Sequence, residues 1–340
     1  MEKTMSLVPV DVIAELAQGY EGNIEQALLL LKAAKEAGAD AAKYQVIYAA
    51  ELCTPDYKHF SLFSSLEMPD EAWERIVLLA RKLEIRLILD IFGDRSLVLA
   101  EKLGVSEIMV HATDLTNMPL IEKIEAGPAT KVFLGVGGAL MSEIELTVQK
   151  LHSKQVVVMV GFQGYPTPDG DNQISRIGRV AEKLAGKHSA LSFGFADHSL
   201  PGSPWMLPFS SLALGLGARV FEKHLTLGEV MKLEDYEAAI NPDKFAYFSK
   251  GLRACAEAMG IVEPVDDFGM YPSELGYRRM VRRSVVAAVP LAAGRKISPA
   301  EVVLKRSAEL GDFHSLDSVI GSTLLCAVHV NQPLRSSDVQ

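Results

Sequence analysis

Phe193-Gly194-Phe195-Ala196-Asp197-His198-Ser199, answered by Phe221-Glu222-Lys223-His224, decides the reading of this chain. Each stretch is a short apolar run that closes on an acid and an imidazole. Such runs suit parallel strands covered on both faces, whose C-terminal ends converge on one pocket. Two histidines and two carboxylates at one mouth have the chemistry of a divalent-metal site, with Asp197 and Glu222 placed to fix the imidazole tautomers. The plainer alternative is a pair of hydrogen-bonded structural histidines. Two such residues on neighbouring strands, each beside an acid, put the two readings level.

The same grammar runs outward in both directions. Apolar strand candidates recur at 10–16, 41–46, 86–91, 107–111, 131–136, 156–161, 191–197 and 219–224. Between them lie segments with apolar residues at helical spacing: 23–37, a helix from about 69, then 94–103, 117–125, 142–151, 175–187, 204–216 and 242–259. Eight strands alternating with eight helices in 260 residues predict a (β/α)8 barrel. A doubly wound sheet is the competitor, but no GxGxxG follows the first strand. In a barrel the chemistry sits at the C-terminal strand ends, which makes candidates of Glu15, Lys43, Gln45, Asp90, His111, Asp114, Gln163 and Tyr165 as well. Lys43 has the plain alternative of a salt bridge to Glu15.

From 261 to 280 the pattern breaks into prolines, glycines and paired aspartates and reads as a linker. Beyond it, 281–340 carries short strands and turns with a faint internal echo, predicting a small, mostly β domain. The bulk numbers agree with a soluble enzyme: 49% hydrophobic and 23% charged residues in 340. A net charge of -9 argues against a nucleic-acid or anionic-membrane binder, which needs a basic face. Three scattered cysteines form no CxxC pair, and the first residues lack the apolar core of a signal peptide. The longest apolar segment, 207–221, is too short and interrupted to span a bilayer. The expectation is a cytoplasmic protein with no membrane partner.

Six separated motifs, in order, resemble the sialic acid synthase family, the N-acetylneuraminate synthase group that includes pseudaminate, legionaminate and spore-coat polysaccharide members. They are Ile13-Ala14-Glu15 with Glu21-Gly22-Asn23; Ala37 through Gln45; Tyr165-Pro166-Thr167-Pro168; Ala196-Asp197-His198-Ser199; Glu222 through Leu227; and Arg283 through Arg306, which is similar to the antifreeze-like SAF domain. The resemblance implies a barrel followed by an SAF (β-clip) domain. It also implies a transferase that joins phosphoenolpyruvate to the open-chain aldehyde of an acylamino sugar, forming a nonulosonic acid for surface or coat polysaccharide. By position it implies His198 and His224 as metal ligands and Glu15, Lys43, Asp197 and Glu222 as catalytic groups. Gln45, Tyr165, Gln163, Asp114 and Asp235 would bind substrate. Arg306 would reach across a homodimer to the partner's sugar. The implied cofactor is a divalent metal, manganese first, with magnesium or cobalt as alternatives.

The donor side departs from that pattern. Met109 stands where the family has a second lysine, Ala112 and Ala196 where it has hydroxyls, and Asp90 where a hydroxyl is usual. Charged hydrogen bonds contribute about 1.5–3 kcal/mol each, so these losses weaken a trianion site. His111 is the candidate replacement cation, and backbone N–H groups of the glycines at 135 and 137 are candidate donors. Two other readings therefore stand beside the synthase: a metal-dependent aldolase or lyase using another donor, and a catalytically silent sugar-binding relative. Retention of both histidines, Glu15 and Lys43 counts against the silent one.

Overall fold

The strands are short and apolar, and in the computed structural model, which describes residues 9–260 and 269–340, eight of them close on one another. They are β1 (Asp11–Ala17), β2 (Ala41–Val46), β3 (Arg86–Ile91), β4 (Glu107–Val110), β5 (Lys131–Gly135), β6 (Gln155–Val160), β7 (Leu191–Asp197) and β8 (Val220–His224). All pair in parallel, and β1 pairs with both β2 and β8, so no edge is left exposed. The (β/α)8 barrel expected from the sequence is the fold of this chain.

Helix α1 (Ile24–Glu36) follows β1 and starts where the Asn23 side chain accepts the backbone N–H groups of Glu25 and Gln26. After β2 come α2 (Ala49–Leu52), α3 (Phe60–Leu66) and α4 (Asp70–Leu83). The sequence reads as a plain loop where α2 and α3 lie, because neither is long enough to show a helical period. The later crossovers are α5 (Asp94–Lys102), α6 (Met118–Ala126), α7 (Met141–Lys150), α8 (Arg176–Leu184) and α9 (Met206–Gly215). Helix α10 (Pro242–Met259) closes the ring.

Strand alternation sorts side chains into two cores. Facing the lumen are Ile13, Ala41, Ile88, Met109, Phe133, Val157, Met159, Ala196 and Val220. Facing the helices are the intervening residues, such as Ala14, Leu89, Phe195 and Phe221. Gly194 lies on the lumen side of β7, where a Cβ would overlap the sulfur of Met159 and sit 2.9 Å from the Val220 carbonyl oxygen. That accounts for the glycine between two phenylalanines in the opening stretch.

The chain divides into two compact units, Met1–Val262 and Glu263–Gln340. The expected linker falls partly outside the described residues, and its remainder holds a helix, α11 (Pro272–Val281). Proline at the first helical position is a start signal as well as a breaker, which a reading of 261–280 as linker overlooks. In the second unit β9 (Ser284–Ala287) pairs antiparallel with β10 (Val302–Lys305), and single bridges such as Leu291 with Val328 and Leu324 with Val339 extend the pattern. Val285, Ala287, Leu291, Ile297, Val302, Val319, Leu324, Val328 and Leu334 form its own core.

The same alternation corrects one catalytic candidate. Ala196 faces the lumen, so Asp197, one residue on, faces the helices. There it meets Lys223, which β8 turns the same way: the Lys223 ammonium lies 2.8 Å from Asp197 Oδ1, and both side chains are 0% exposed. The ammonium also donates to the Ser199 carbonyl at 2.8 Å, and Ser199 donates its hydroxyl to the same Asp197 oxygen at 2.5 Å. Asp197 thus binds β7 to β8 from behind instead of serving the mouth. Removing one partner strands a buried charge, so Lys223→Met is expected to cost about 3–5 kcal/mol of stability. Urea unfolding measures it, and an unchanged midpoint would mean the pair carries no structural charge.

Candidate active site

Eight strand ends open on a cavity of about 810 Å³. Its wall takes Glu15 from β1, Gln45 from β2, Met109 from β4, Gly135 from β5 and Met159 from β6. Ala196 and His198 come from the end of β7, and Glu222 and His224 from β8. Leu52, Cys53, Tyr57 and Phe63 enter from the α2–α3 segment, and Phe162, Tyr165 and Asp235 from the loops after β6 and β8. The register brings Glu15 level with Lys43 on one side and His224 on the other, and Ala196 level with Glu222.

The two histidines meet with ring centroids 5.0 Å apart. His198 Nδ1 lies 3.0 Å from the Ala196 carbonyl oxygen. A carbonyl only accepts, so Nδ1 carries the hydrogen and Nε2 keeps its lone pair. That carbonyl, not Asp197, sets the tautomer. Burial holds His198 down to about 4 and His224 well below the usual imidazole range, so both are neutral at pH 7. Neutral imidazoles with a free nitrogen are the form that binds a divalent metal. Among the described residues no group of three or more His, Cys, Asp or Glu side chains forms a metal cage. What the pair fits is an open site with two protein ligands, the remaining positions left to water and substrate oxygens.

Beside them a buried charge cluster fills the lumen. The Lys43 ammonium lies 2.5 Å from Glu15 Oε2 and 2.7 Å from Glu222 Oε2, with the Met109 sulfur at 2.7 Å. Glu15 accepts the Ala17 N–H through its other oxygen at 2.7 Å. The expected Lys43–Glu15 bridge is therefore present, and Glu222 joins it. Asp90 sits between Gln45 and Met109 in the register, buried, with neither carboxylate oxygen hydrogen-bonded. Burial first of all pushes its carboxyl up to about 8; Lys43 opposes this, and Glu222 and Asp114 add to it.

His111 takes no cationic role. Burial, followed by the nearby Lys43 charge, lowers it to about 4, and its ring packs on Phe92 at 5.2 Å. On the opposite wall the Tyr165 hydroxyl donates to the Asp235 carbonyl, and its ring stands 5.5 Å from His224 and 6.0 Å from His198. Burial pushes the Asp235 carboxyl up to about 6. Gln18, absent from the sequence candidates, lines the cavity and donates its amide to Gln45 at 2.8 Å. Its one signal was its place just beyond the first strand's end.

Two substrate-binding candidates are not at the mouth. Gln163 lines an adjoining groove of about 300 Å³, because it follows Phe162, whose ring takes the mouth-facing place against His198 at 4.8 Å. Asp114 lies in the turn after β4 and accepts from the Asn117 amide at 2.8 Å, outside the cavity wall. Arg306 belongs to the second unit, just past β10, where its Nε donates to the Val281 carbonyl at 3.2 Å.

A family model described as the NeuB family matches residues 30–263, and one described as the SAF domain matches 282–340. The chain is 26% identical over 321 residues to the spore coat polysaccharide biosynthesis protein SpsE of Bacillus subtilis, covering 88% of this chain and 84% of that one. It is 24% identical over 336 residues to the N,N'-diacetyllegionaminic acid synthase of Legionella pneumophila, covering 92% and 90%. Its fold is shared with a sialic acid synthetase structure from Leptospira borgpetersenii, with a TM-score of 0.70, 22% identity and coverage of 83% and 96%.

The raised Asp90 carboxyl has a consequence for stability. The folded chain keeps a proton up to about pH 8 that the unfolded chain releases near pH 4. Stability therefore falls as pH rises from about 4 to about 8 and is flat above. Asp90→Asn is neutral throughout and escapes the loss, so its advantage over the wild type should grow across that window, to the order of several kcal/mol. Thermal melts at pH 5 and pH 8.5 check this. A gap that does not widen would mean Asp90 is ionised in the folded protein.

Proposed function

The chain belongs to the NeuB family, its barrel followed by an SAF domain, and on that premise we propose that it is a nonulosonic acid synthase joining phosphoenolpyruvate to the open-chain aldehyde of an acylamino sugar. The carrying observation is the pair of neutral imidazoles, His198 and His224, at a mouth that also holds Glu15, Tyr165 and Asp235. In the reaction C3 of the donor bonds to the aldehyde carbon, water adds to C2, and phosphate leaves. A divalent cation held by the two histidines, manganese first and magnesium or cobalt as alternatives, supplies a Lewis acid for the aldehyde oxygen.

The chain's own groups do the rest. Glu15, fixed by the Ala17 N–H and by Lys43, is held beside the imidazole pair as a carboxylate that can take a proton from water. Glu222 is pinned by the same ammonium and faces the same space. Lys43 bridges the two carboxylates and offsets their charge in the lumen. Tyr165, Asp235, Gln18 and Gln45 present a hydroxyl, a carboxyl and two amides for a polyhydroxylated acceptor. Leu52, Tyr57, Phe63 and Phe162 add apolar surface to the same wall. The setting would be cytoplasmic synthesis of a surface or coat polysaccharide by a homodimer in which Arg306 reaches the partner's sugar. No helix among the described residues is long and apolar enough to cross a membrane.

The lumen favours a second reading of the donor. Met109, Ala112 and Ala196 offer no charge, Lys43 is engaged by two carboxylates, and Asp90 adds a third acid. A less charged donor such as pyruvate, in a metal-dependent aldolase, suits that floor.

With manganese, the purified protein is expected to release phosphate from phosphoenolpyruvate only when an acylamino sugar is present. His198→Ala with His224→Ala should lower that rate by more than about 100-fold. Pyruvate-dependent cleavage or synthesis without any phosphate release would decide for the second reading. Arg306→Ala should raise the KM for the sugar about tenfold, the loss of one charged hydrogen bond, with no change in Tm. Unchanged kinetics would remove Arg306 from the site.

A further inference from the structure

The mouth has an electrostatic gap: among the described residues its wall contains no lysine or arginine. Lys43, beneath it, is engaged by Glu15 and Glu222. Unengaged cations border it nonetheless. The adjoining groove of about 300 Å³ shares Val136 and Gly137 with the mouth, and Arg176 and Arg179 line it. Neither guanidinium has a hydrogen-bond or ion-pair partner among the described residues.

Both arginines are solvent-exposed, at a helix end that favours an anion. Arg176 opens α8 and Arg179 stands one turn on, and the first turn of that helix contains no acid. Cations near a helix N-terminus oppose its dipole, where anions are favoured. Across the groove runs Gly135-Val136-Gly137-Gly138-Ala139. The Val136 N–H donates to the Met159 carbonyl at 3.3 Å and the Ala139 N–H to the Val136 carbonyl at 3.2 Å, while Gly137 and Gly138 N–H have no acceptor among the described residues. Gly138 has φ 75°, the left-handed region, and a Cβ on Gly137 would lie 2.6 Å from the Phe162 carbonyl oxygen. Gly137 thus leaves no room for a side chain and Gly138 favours glycine, and consecutive unpaired N–H groups in such a turn make an anion-binding concavity. Gln163 completes the wall with a buried side-chain oxygen that has no partner. Turned over, the same amide offers an N–H₂ donor.

We propose that this groove is a phosphoryl subsite of the same active centre, built from Arg176, Arg179, the Gly137 and Gly138 N–H groups and Gln163. It would receive a phosphate monoester whose reacting carbons lie in the mouth, across the Val136–Gly137 turn. The subsite replaces cations missing from the barrel floor with cations at the rim. The assignment of that monoester to a substrate rests on the synthase reading; the binding of phosphate does not.

Calorimetry of the full chain with manganese tests it, using inorganic phosphate, phosphoenolpyruvate and a hexosamine 6-phosphate as separate probes. At least one monoester is expected to saturate. Arg176→Ala with Arg179→Ala should raise its Kd by more than about tenfold, the loss of one or more charged hydrogen bonds. Arg176→Lys with Arg179→Lys should recover part of the affinity, and the Tm of both variants should match the wild type. Arginine-dependent binding of phosphoenolpyruvate assigns the subsite to the donor, and binding of the sugar phosphate alone assigns it to the acceptor. No binding by any probe, or binding equal in the double-alanine variant, overturns the proposal. Arginine-dependent binding without sugar-dependent phosphate release would uphold the subsite while removing the phosphoenolpyruvate reading.

Discussion

One ammonium group constrains this barrel more than any other. Lys43 stands on β2 and reaches past β1 to β8, holding Glu15 at 2.5 Å and Glu222 at 2.7 Å. Three charged side chains in a lumen are tolerable only because each is paired, since an unpaired one would face a desolvation penalty of several kcal/mol. The pairing also fixes chemistry. It holds two carboxylates beside the imidazole pair, and it engages the lysine on both sides, leaving no spare charge for a substrate.

The fold was open to reading because a parallel barrel repeats one sentence eight times. Apolar runs alternate with helical periods along the barrel, and each predicted strand falls within two residues of the structure's. The imidazole pair and the Lys43–Glu15 contact were legible for a related reason: residues at the ends of such strands have one place to go. Errors arose where a single residue decides the direction. Asp197 sits next to a true mouth residue, and the two-residue period sends it to the helix side. Gln163 stands one place beyond Phe162, on a loop with no period at all. His111 kept its place at the strand end but not its charge, because burial is a property of the packed molecule and cannot be read off a strand. The walls from α2 and α3 went unread for want of length.

The acids and amides of the mouth also divide by environment. Asp235 is half-buried and Asp90 buried; Asp235 accepts the Gln18 N–H at 3.4 Å, and Asp90 has no partner at all. Burial pushes the first up to about 6 and the second up to about 8. At neutral pH the one is mostly a carboxylate and the other mostly a neutral acid. A protonated Asp90 is a hydrogen-bond donor with no partner, set among Gln45, Met109 and Lys43.

That distinction bears on which donor the lumen can accept. With Asp90 protonated, the cluster of Lys43, Glu15 and Glu222 carries one net negative charge; with Asp90 ionised it carries two. An anion entering the mouth is repelled less in the first case, and by linkage its arrival strengthens the hold on the Asp90 proton. Asp90 therefore need not oppose an anionic donor so long as its proton stays. The charge of such an anion still needs cations, and the floor has none to give, because Lys43 is held on both sides by Glu15 and Glu222.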